Sequence, residues 1–534
     1  MTRTIVIGGG VAGLATAALL AREGHRVRLL EQRADIGGRA GSMEIDGFRF
    51  DTGPSWYLMP RVFEHFFELL GTSAEEQLDL RTLDPGYRVF GEPAVDGSVP
   101  EMTVPYGRDR VEAVFEEREP GSGRRLSRYL DSAAHASEMA ERYFLYNPFT
   151  RWRSLFAPEV LRAAPRLVSL LGTSLARFAG KRFADPMLRQ VLGYPAVFLG
   201  TDPDRAPAMY HLMSALDLDE GVQYPMGGFW RLVECIEQLA RDAGVEIVTE
   251  AQATEILTRS SREGAVASGV RWVDAAGVEH VEHANFVVSG ADLHHTETAL
   301  LPPELRSYPE PWWDRLESGP GAVLVLLGVR GELPQLEHHS LFFTRDWQAN
   351  FRAIFGEQPS VPDPASIYVC RPSATDSEVA PEGYENLFVL IPVPADEQIG
   401  AGGADGAGDP LVERAADAAI RQIEEWAGIP DLRERIVVRR TIGPADFAEQ
   451  YHSWQGGMLG PAHVLRQSAM FRAQNASKRV QGLFYAGATT APGVGVPMCL
   501  ISAELVLKRI RGDHSAGPTV PRMAAAPLRS EAAR

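Results

Sequence analysis

An apolar strand pattern running into a glycine turn, an alanine- and leucine-rich helix pattern behind it, and a second apolar run ending in an acid together predict an α/β fold. The arrangement is that of a Rossmann-like dinucleotide-binding domain. The first strand is Thr4-Ile5-Val6-Ile7, and the turn is Gly8-Gly9-Gly10-Val11-Ala12-Gly13. The second strand, Val27-Arg28-Leu29-Leu30, stops at Glu31, eighteen residues after Gly13. Gly8 permits the tight turn, Gly10 lets backbone N–H groups approach a pyrophosphate, and Gly13 lets the helix pack close to the strand. The helix N-terminus supplies partial positive charge for phosphates. Glu31 is placed to accept hydrogen bonds from a ribose hydroxyl.

A second loop, Asp35-Ile36-Gly37-Gly38-Arg39-Ala40-Gly41, follows almost at once. A nicotinamide enzyme has no evident use for it, whereas the longer FAD must be tracked from ribose to isoalloxazine. Arg39 can bind pyrophosphate, and the glycines allow close backbone approach. Asp46-Gly47 is predicted to close a hairpin between Glu44-Ile45 and Phe48-Arg49-Phe50, whose far end returns Asp51-Thr52-Gly53-Pro54 toward the cofactor.

These motifs resemble the flavin-dependent carotenoid desaturases, within the wider group of amine oxidases and protoporphyrinogen oxidase. Gly53-Pro54-Ser55-Trp56-Tyr57-Leu58-Met59-Pro60 is similar to the bacterial phytoene desaturases in particular. Leu483 to Pro497, with Tyr485-Ala486-Gly487-Ala488 at its centre, is similar to the family's closing flavin signature. Further matches are Tyr224 to Phe229, Val287 to Asp292, Arg371-Pro372-Ser373 and Ala380-Pro381-Glu382-Gly383, so the resemblance runs from about residue 3 to about 510. It implies an FAD site built from Gly8, Gly10, Val11, Ala12, Gly13, Glu31, Gln32, Gly38, Arg39, Gly53, Pro54, Ala253, Gly487, Gly495 and Val496. It also implies a discontinuous FAD-binding domain, 1–80, 224–302 and 470–512, and a mixed-sheet plus helical substrate domain, 81–223 and 303–469.

Within the middle of the chain, residues near 60 to 223 read as helical stretches broken by Asp84-Pro85-Gly86, Glu119-Pro120-Gly121 and Asp202-Pro203. Phe229, Leu232, Val233, Ile236, Leu239 and Ala240 fall at helical spacing, with Gly244 placed to end the helix and Val245 to Val248 as the next strand. Strands are also expected at Val266–Val273, Val278–His280, Phe286–Val288, Val323–Leu327 and Leu387–Ile391. The Gly/Ala-rich stretch 400–408 reads as a flexible surface loop, and 513–534 as a disordered tail.

Composition bounds the function without naming it. The 534 residues, 45% hydrophobic, suffice for more than one domain. Cys235, Cys370 and Cys499 lie far apart without metal-type spacing, so no disulfide framework and no metal are expected, and a reducing cytoplasm fits. The N-terminus lacks a secretory pattern and no apolar run is long enough to span a bilayer. A net charge of −17 argues against general attraction to nucleic acid or anionic lipid. One segment breaks that trend: Arg151, Arg153, Arg162, Arg166, Arg177, Lys181 and Arg182 face a single acid, Glu159, among Trp152, Leu155, Phe156, Leu161, Leu167, Val168, Leu170, Leu171, Leu175 and Phe178. Such a stretch either lies in a membrane interface or covers the protein's own core. The resemblance selects the membrane, because a forty-carbon polyene needs a lipid-facing entrance; peripheral attachment to the cytoplasmic membrane is the expected location.

The resemblance implies an FAD-dependent oxidoreductase that introduces double bonds into phytoene, toward neurosporene or lycopene, with oxygen or a quinone as electron acceptor. A flavin-dependent carotenoid isomerase or ketolase is the alternative. An amine oxidase or protoporphyrinogen oxidase fits less well, since Thr489 to Pro497 offers no aromatic cage for an amine. No GxSxG elbow, zinc motif or nucleophile–base pair identifies a catalytic residue. His294-His295, Trp56-Tyr57, His463 and Trp454 remain open between site and structural roles.

Overall fold

The computed structural model describes residues 1–151 and 156–521. A five-stranded, wholly parallel sheet runs in the order Leu483–Tyr485, Phe286–Ser289, Arg3–Ile7, Arg26–Leu30, Glu246–Val248. Its strands come from three distant parts of the chain, and parallel pairing requires such long crossovers. Helices Val11–Arg22, Phe229–Asp242 and Val496–Arg511 cover one face in a single apolar core. Val11–Arg22 is buried from Val11 through Ala21, because it lies between the sheet and both other helices. The opposite face carries the antiparallel strands Gln252–Ser261, Gly264–Val273 and Glu279–His283. The core beneath it also takes in Tyr308, Trp313 and Trp454, from the 303–469 stretch.

A second, seven-stranded sheet runs Ile436–Ile442, Gly321–Arg330, Tyr384–Val393, Ile367–Cys370, His339–Phe343, Tyr87–Gly91, Glu101–Val104. Only the pair His339–Phe343 with Tyr87–Gly91 is parallel. Gly321 to Val329 is buried without interruption, since helix Pro410–Ala427 covers one face and aromatic side chains the other. The hairpin Ser42–Ile45 with Phe48–Asp51 forms as expected, turning through Asp46 and Gly47 in left-handed conformations.

Three expectations change. Residues 60–223 are not helical throughout: Leu80–Thr82, Tyr87–Gly91 and Glu101–Val104 are strands, whose short alternating pattern is masked by Pro and Gly on either side. The 400–408 loop is pinned rather than loose, with Gly402 N–H donating to Asp446, Gly403 N–H to Thr441 Oγ1 and Gly408 N–H to Glu413. Residues 513–521 are held to the last helix: buried Lys508 donates to the carbonyls of Tyr146, Ser515 and Gly517, and Thr519 N–H donates to Glu504 at 2.6 Å. The remainder of the expected tail, 522–534, lies outside the described residues, as do Trp152, Arg153 and Leu155.

Candidate functional site

The two chain ends converge on one cavity of about 690 Å³. Gly8 turns sharply after the first strand, its N–H donating to the Leu30 carbonyl at 2.8 Å. A Cβ on Gly13 would lie 1.9 Å from the Gly8 carbonyl oxygen, so only glycine allows this helix-to-strand approach. The second loop docks on the first: Gly37 N–H donates to the Gly9 carbonyl at 2.8 Å. A Cβ on Gly53 would likewise meet the Arg39 carbonyl oxygen at 1.9 Å, which seats the hairpin's far end against the Gly38–Ala40 turn. At the other end, Gly487 approaches Ala12 and Gly495 leads into the last helix.

Fourteen of the fifteen expected positions line this cavity; Gly13 alone lies behind it, in its packing role. Glu31 is buried and already engaged, accepting from Gly9 N–H at 2.6 Å and Arg33 N–H at 2.9 Å. Burial raises its pKa, and those amides oppose the shift. It therefore braces the glycine turn at the cavity wall. Arg39 donates to the Met458 carbonyl at 3.0 Å from the cavity wall. Gln32 is tied to the protein on both sides of its amide, donating to the Gln450 carbonyl and contacting His452 Nε2 at 2.8 Å.

The open residues separate cleanly. Trp56 lines the cavity, whereas Tyr57 is core, stacked on Phe63 with centroids 4.1 Å apart. His295 lines the cavity and stacks on His452 at 3.9 Å, with burial and that neighbour pushing its pKa down to about 4. His294 instead pairs with Glu310 outside the cavity, and Trp454 packs against Trp313. His463 also faces the cavity, but both ring nitrogens are used, by Tyr210 Oη and Val494 N–H, so it supports the closing loop.

Sequence reasoning missed the residues that shape that loop. Arg472 is buried and donates to the carbonyls of Thr490, Pro461, Gln467 and Ala488. Asn475 donates to the carbonyls of Ala491 and Tyr485. Neither belongs to a local pattern, because their partners lie up to 18 residues away in irregular backbone. Asp292 was also missed as a wall residue: its Oδ1 accepts from His294 N–H, while buried Oδ2 has no hydrogen-bond partner.

The cradle fits a flavin dinucleotide. Helices Val11–Arg22 and Val496–Arg511 both begin at the cavity from a glycine cap without a side-chain acceptor, leaving first-turn amides for an anion. The unpaired Asp292 oxygen suits a sugar or ribityl hydroxyl. Beyond the cradle the walls are hydrocarbon: Leu324, Leu341, Phe343, Phe388 and Leu390 from the sheet, and Phe198, Phe351, Met139, Leu145, Leu167 and Leu171 from helical segments.

A model of flavin containing amine oxidoreductases matches residues 11–510. The chain belongs to that family. It is a flavin-dependent oxidoreductase with relatives along its whole length. It is 40% identical over 499 residues to a carotenoid 3,4-desaturase of Haloarcula japonica, covering 93% of this chain and 96% of the relative. A zeta-carotene-forming phytoene desaturase of Myxococcus xanthus is 34% identical over 541 residues, 99% of this chain and 98% of its own. Among solved structures, wild-type putrescine oxidase bound to putrescine shares the fold with TM-score 0.58 at 14% identity, covering 96% of this chain and 99% of its own. Cyclohexylamine oxidase from Brevibacterium oxydans does so with TM-score 0.55 at 16% identity, covering 96% and 99%.

Proposed function

We propose that this chain is an FAD-dependent carotenoid desaturase that introduces double bonds into phytoene or a carotene derived from it. The single observation that carries the reading is the continuity of a dinucleotide cradle with a hydrocarbon-walled cavity. The same fold serves amine substrates elsewhere, so fold alone does not choose; wall chemistry and the full-length relatives do. Bound flavin supplies a hydride acceptor. The protein's part is to hold a polyene C–H against it and to exclude water, using Trp56, Phe198 and Leu324 among its apolar walls. Gly8, Gly10, Val11, Ala12, Gly38, Arg39, Gly487, Gly495 and Val496 are proposed to hold the pyrophosphate and flavin, with Glu31, Gln32 and Ala253 toward the adenosine, and Gly53-Pro54 beside the ring system. The FAD-binding parts would be 1–80, 224–302 and 470–512.

The proposal includes a membrane-facing entrance. In support, Leu171, Leu465 and Phe471 both line the cavity and are exposed. Helix Pro158–Leu171 adds exposed Leu161 and Val168, with Phe156 just before it. Arg162 and Arg166 are exposed on this helix, Arg177 on the next, Leu175–Gly180, and Lys181 just after it. Arg182 differs, lying over the Phe178 ring at 3.7 Å rather than free in solvent. Among the described residues no helix is long and apolar enough to cross a membrane. Electrons would pass onward from flavin to oxygen or a quinone.

Expression in a bacterium that accumulates colourless phytoene tests the reading. Coloured carotenes with added conjugated bonds are expected. Colourless extracts containing folded flavoprotein would exclude phytoene, and parallel incubation with partly desaturated carotenes would then decide whether desaturation itself fails.

A further inference from the structure

Behind the cavity wall lies a polar chain that the flavin cradle does not use. Ser55 and Tyr368 both line the cavity, Ser55 directly after Gly53-Pro54. Ser55 Oγ is 2.6 Å from Tyr368 Oη, which is 2.8 Å from Nδ1 of His339. His339 is fully buried and stacked on Trp56, with centroids 4.5 Å apart and planes 15° apart. Its neighbour His338 continues the line: Nδ1 is 2.7 Å from Thr375 Oγ1, and Thr375 is half-buried next to exposed Ala374. The two imidazoles have centroids 4.6 Å apart. Each leaves a buried Nε2 without a hydrogen-bond partner. One ligating atom from each, together with Cys370 Sγ, lies within 4.8 Å of the others. A buried polar atom left unpaired is destabilising. Two such atoms on neighbouring rings, one ring ending a hydrogen-bonded line from the cavity and the other bonded to Thr375, point to a path rather than to packing.

We propose that Ser55, Tyr368, His339, His338 and Thr375 conduct the proton released by desaturation from the cavity to the protein surface. The inference rests on the desaturase reading and supplies the proton acceptor that reading lacks. Desaturation removes two hydrogens from adjacent carbons. One leaves with its electron pair to the flavin. The other leaves as a proton, and its C–H electron pair becomes the second bond of the new double bond. The proton goes to Ser55 Oγ, whose own proton moves to Tyr368 Oη, whose proton in turn moves to His339 Nδ1. Both hydroxyls are thereby restored, and one proton stands on the imidazole. A water or a ring rotation spans the gap to His338, and Thr375 completes the exit. Burial, aided by Arg371, holds His338 down to about 3, and burial with His338 holds His339 well below the usual range. Both rings therefore start neutral and pass the proton on rather than retain it. A C–H beside an allylic cation is acidic enough to protonate even so weak a base.

Tyr368→Phe keeps the ring and removes the oxygen that joins Ser55 to His339. Purified holoenzyme is mixed without oxygen with carotene in liposomes, and product absorbance is followed through one turnover in H₂O and in D₂O. The wild type is expected to show a solvent isotope effect. Tyr368→Phe is expected to slow product formation at least about tenfold and lose that effect, with flavin content and thermal midpoint unchanged. His339→Phe, which preserves the stack on Trp56, is expected to do the same. Wild-type rates in both variants, or a wild type without a solvent isotope effect, would overturn the path. Stoichiometric zinc or copper in the purified protein would also overturn it, because a metal on these imidazoles occupies the lone pairs the proton needs. A wild type that leaves every carotene unchanged would instead sink the desaturase reading, and the need for a proton exit with it.

Discussion

Gly10 and Gly13 have very different surroundings within one turn, so binding and folding can be tested apart there. A Cβ at Gly10 would meet nothing closer than the Gly37 carbonyl oxygen at 3.9 Å, whereas one at Gly13 would sit 1.9 Å from backbone. Gly10→Val is therefore expected to fold, keep the thermal midpoint of flavin-free wild type, and bind at least about tenfold less flavin, about 1.4 kcal/mol or more. Gly13→Ala is expected to lower the midpoint itself. Flavin-to-protein ratio and thermal melting, measured on both, check the distinction. Arg472→Met would strand four carbonyl groups beneath the closing loop, each left unpaired at about 1–3 kcal/mol, and is expected to be strongly destabilising in denaturant unfolding. Gly8 and Gly13 were legible because a tight turn and a packed helix each demand a missing side chain at fixed spacing. Arg472, Asn475 and Asp292 were not, since their partners are set by how an irregular loop folds back.

Buried acids carry a pH dependence at the same scale. Asp217 is buried, accepting from Tyr87 and Tyr194 hydroxyls at 3.0 and 2.6 Å, and burial lifts its pKa to about 7. A carboxyl with a raised folded pKa binds its proton more tightly folded than unfolded. Stability should therefore fall as pH rises from about 4 to about 7 and level off above. Asp51, lifted to about 7 by burial while accepting from Phe229 and Trp230 N–H, adds to the same slope. Asp217→Asn is expected to flatten the decline of melting temperature across that window; an unchanged slope would contradict the assignment.

At the scale of elements, strong periodicity was readable and context was not. Helix Phe229–Asp242 follows from its apolar spacing, but its N-terminal amides are capped by Asp51, 178 residues earlier, which no local pattern announces. The strands near 80–104 are short and flanked by turn residues, so their identity comes from pairing with distant partners such as His339–Phe343 and Gln223–Pro225. Helix Pro158–Leu171 is the element on which membrane attachment turns. Replacing exposed Leu161 and Val168 together with Glu is expected to leave melting unchanged while markedly reducing sedimentation with vesicles and activity on membrane-embedded carotene. Equal sedimentation would place the entrance elsewhere.

Over the whole molecule, one sheet brings residues from the start, middle and end of the chain to a single cavity, and the second sheet gives that cavity its hydrocarbon floor. The Rossmann-like half was legible from its motifs; the tunnel was not, because its lining is drawn from ordinary core-type residues scattered from Trp56 to Phe471. The claim uniting both halves is that electrons leave a polyene C–H bond for flavin held between the chain ends. Anaerobic mixing of purified holoprotein with phytoene in liposomes, recording flavin and polyene absorbance together, tests it most directly. One flavin should be reduced for each new double bond introduced. New double bonds appearing while the flavin stays oxidised, or a flavin that phytoene and its partly desaturated derivatives never reduce, would contradict it.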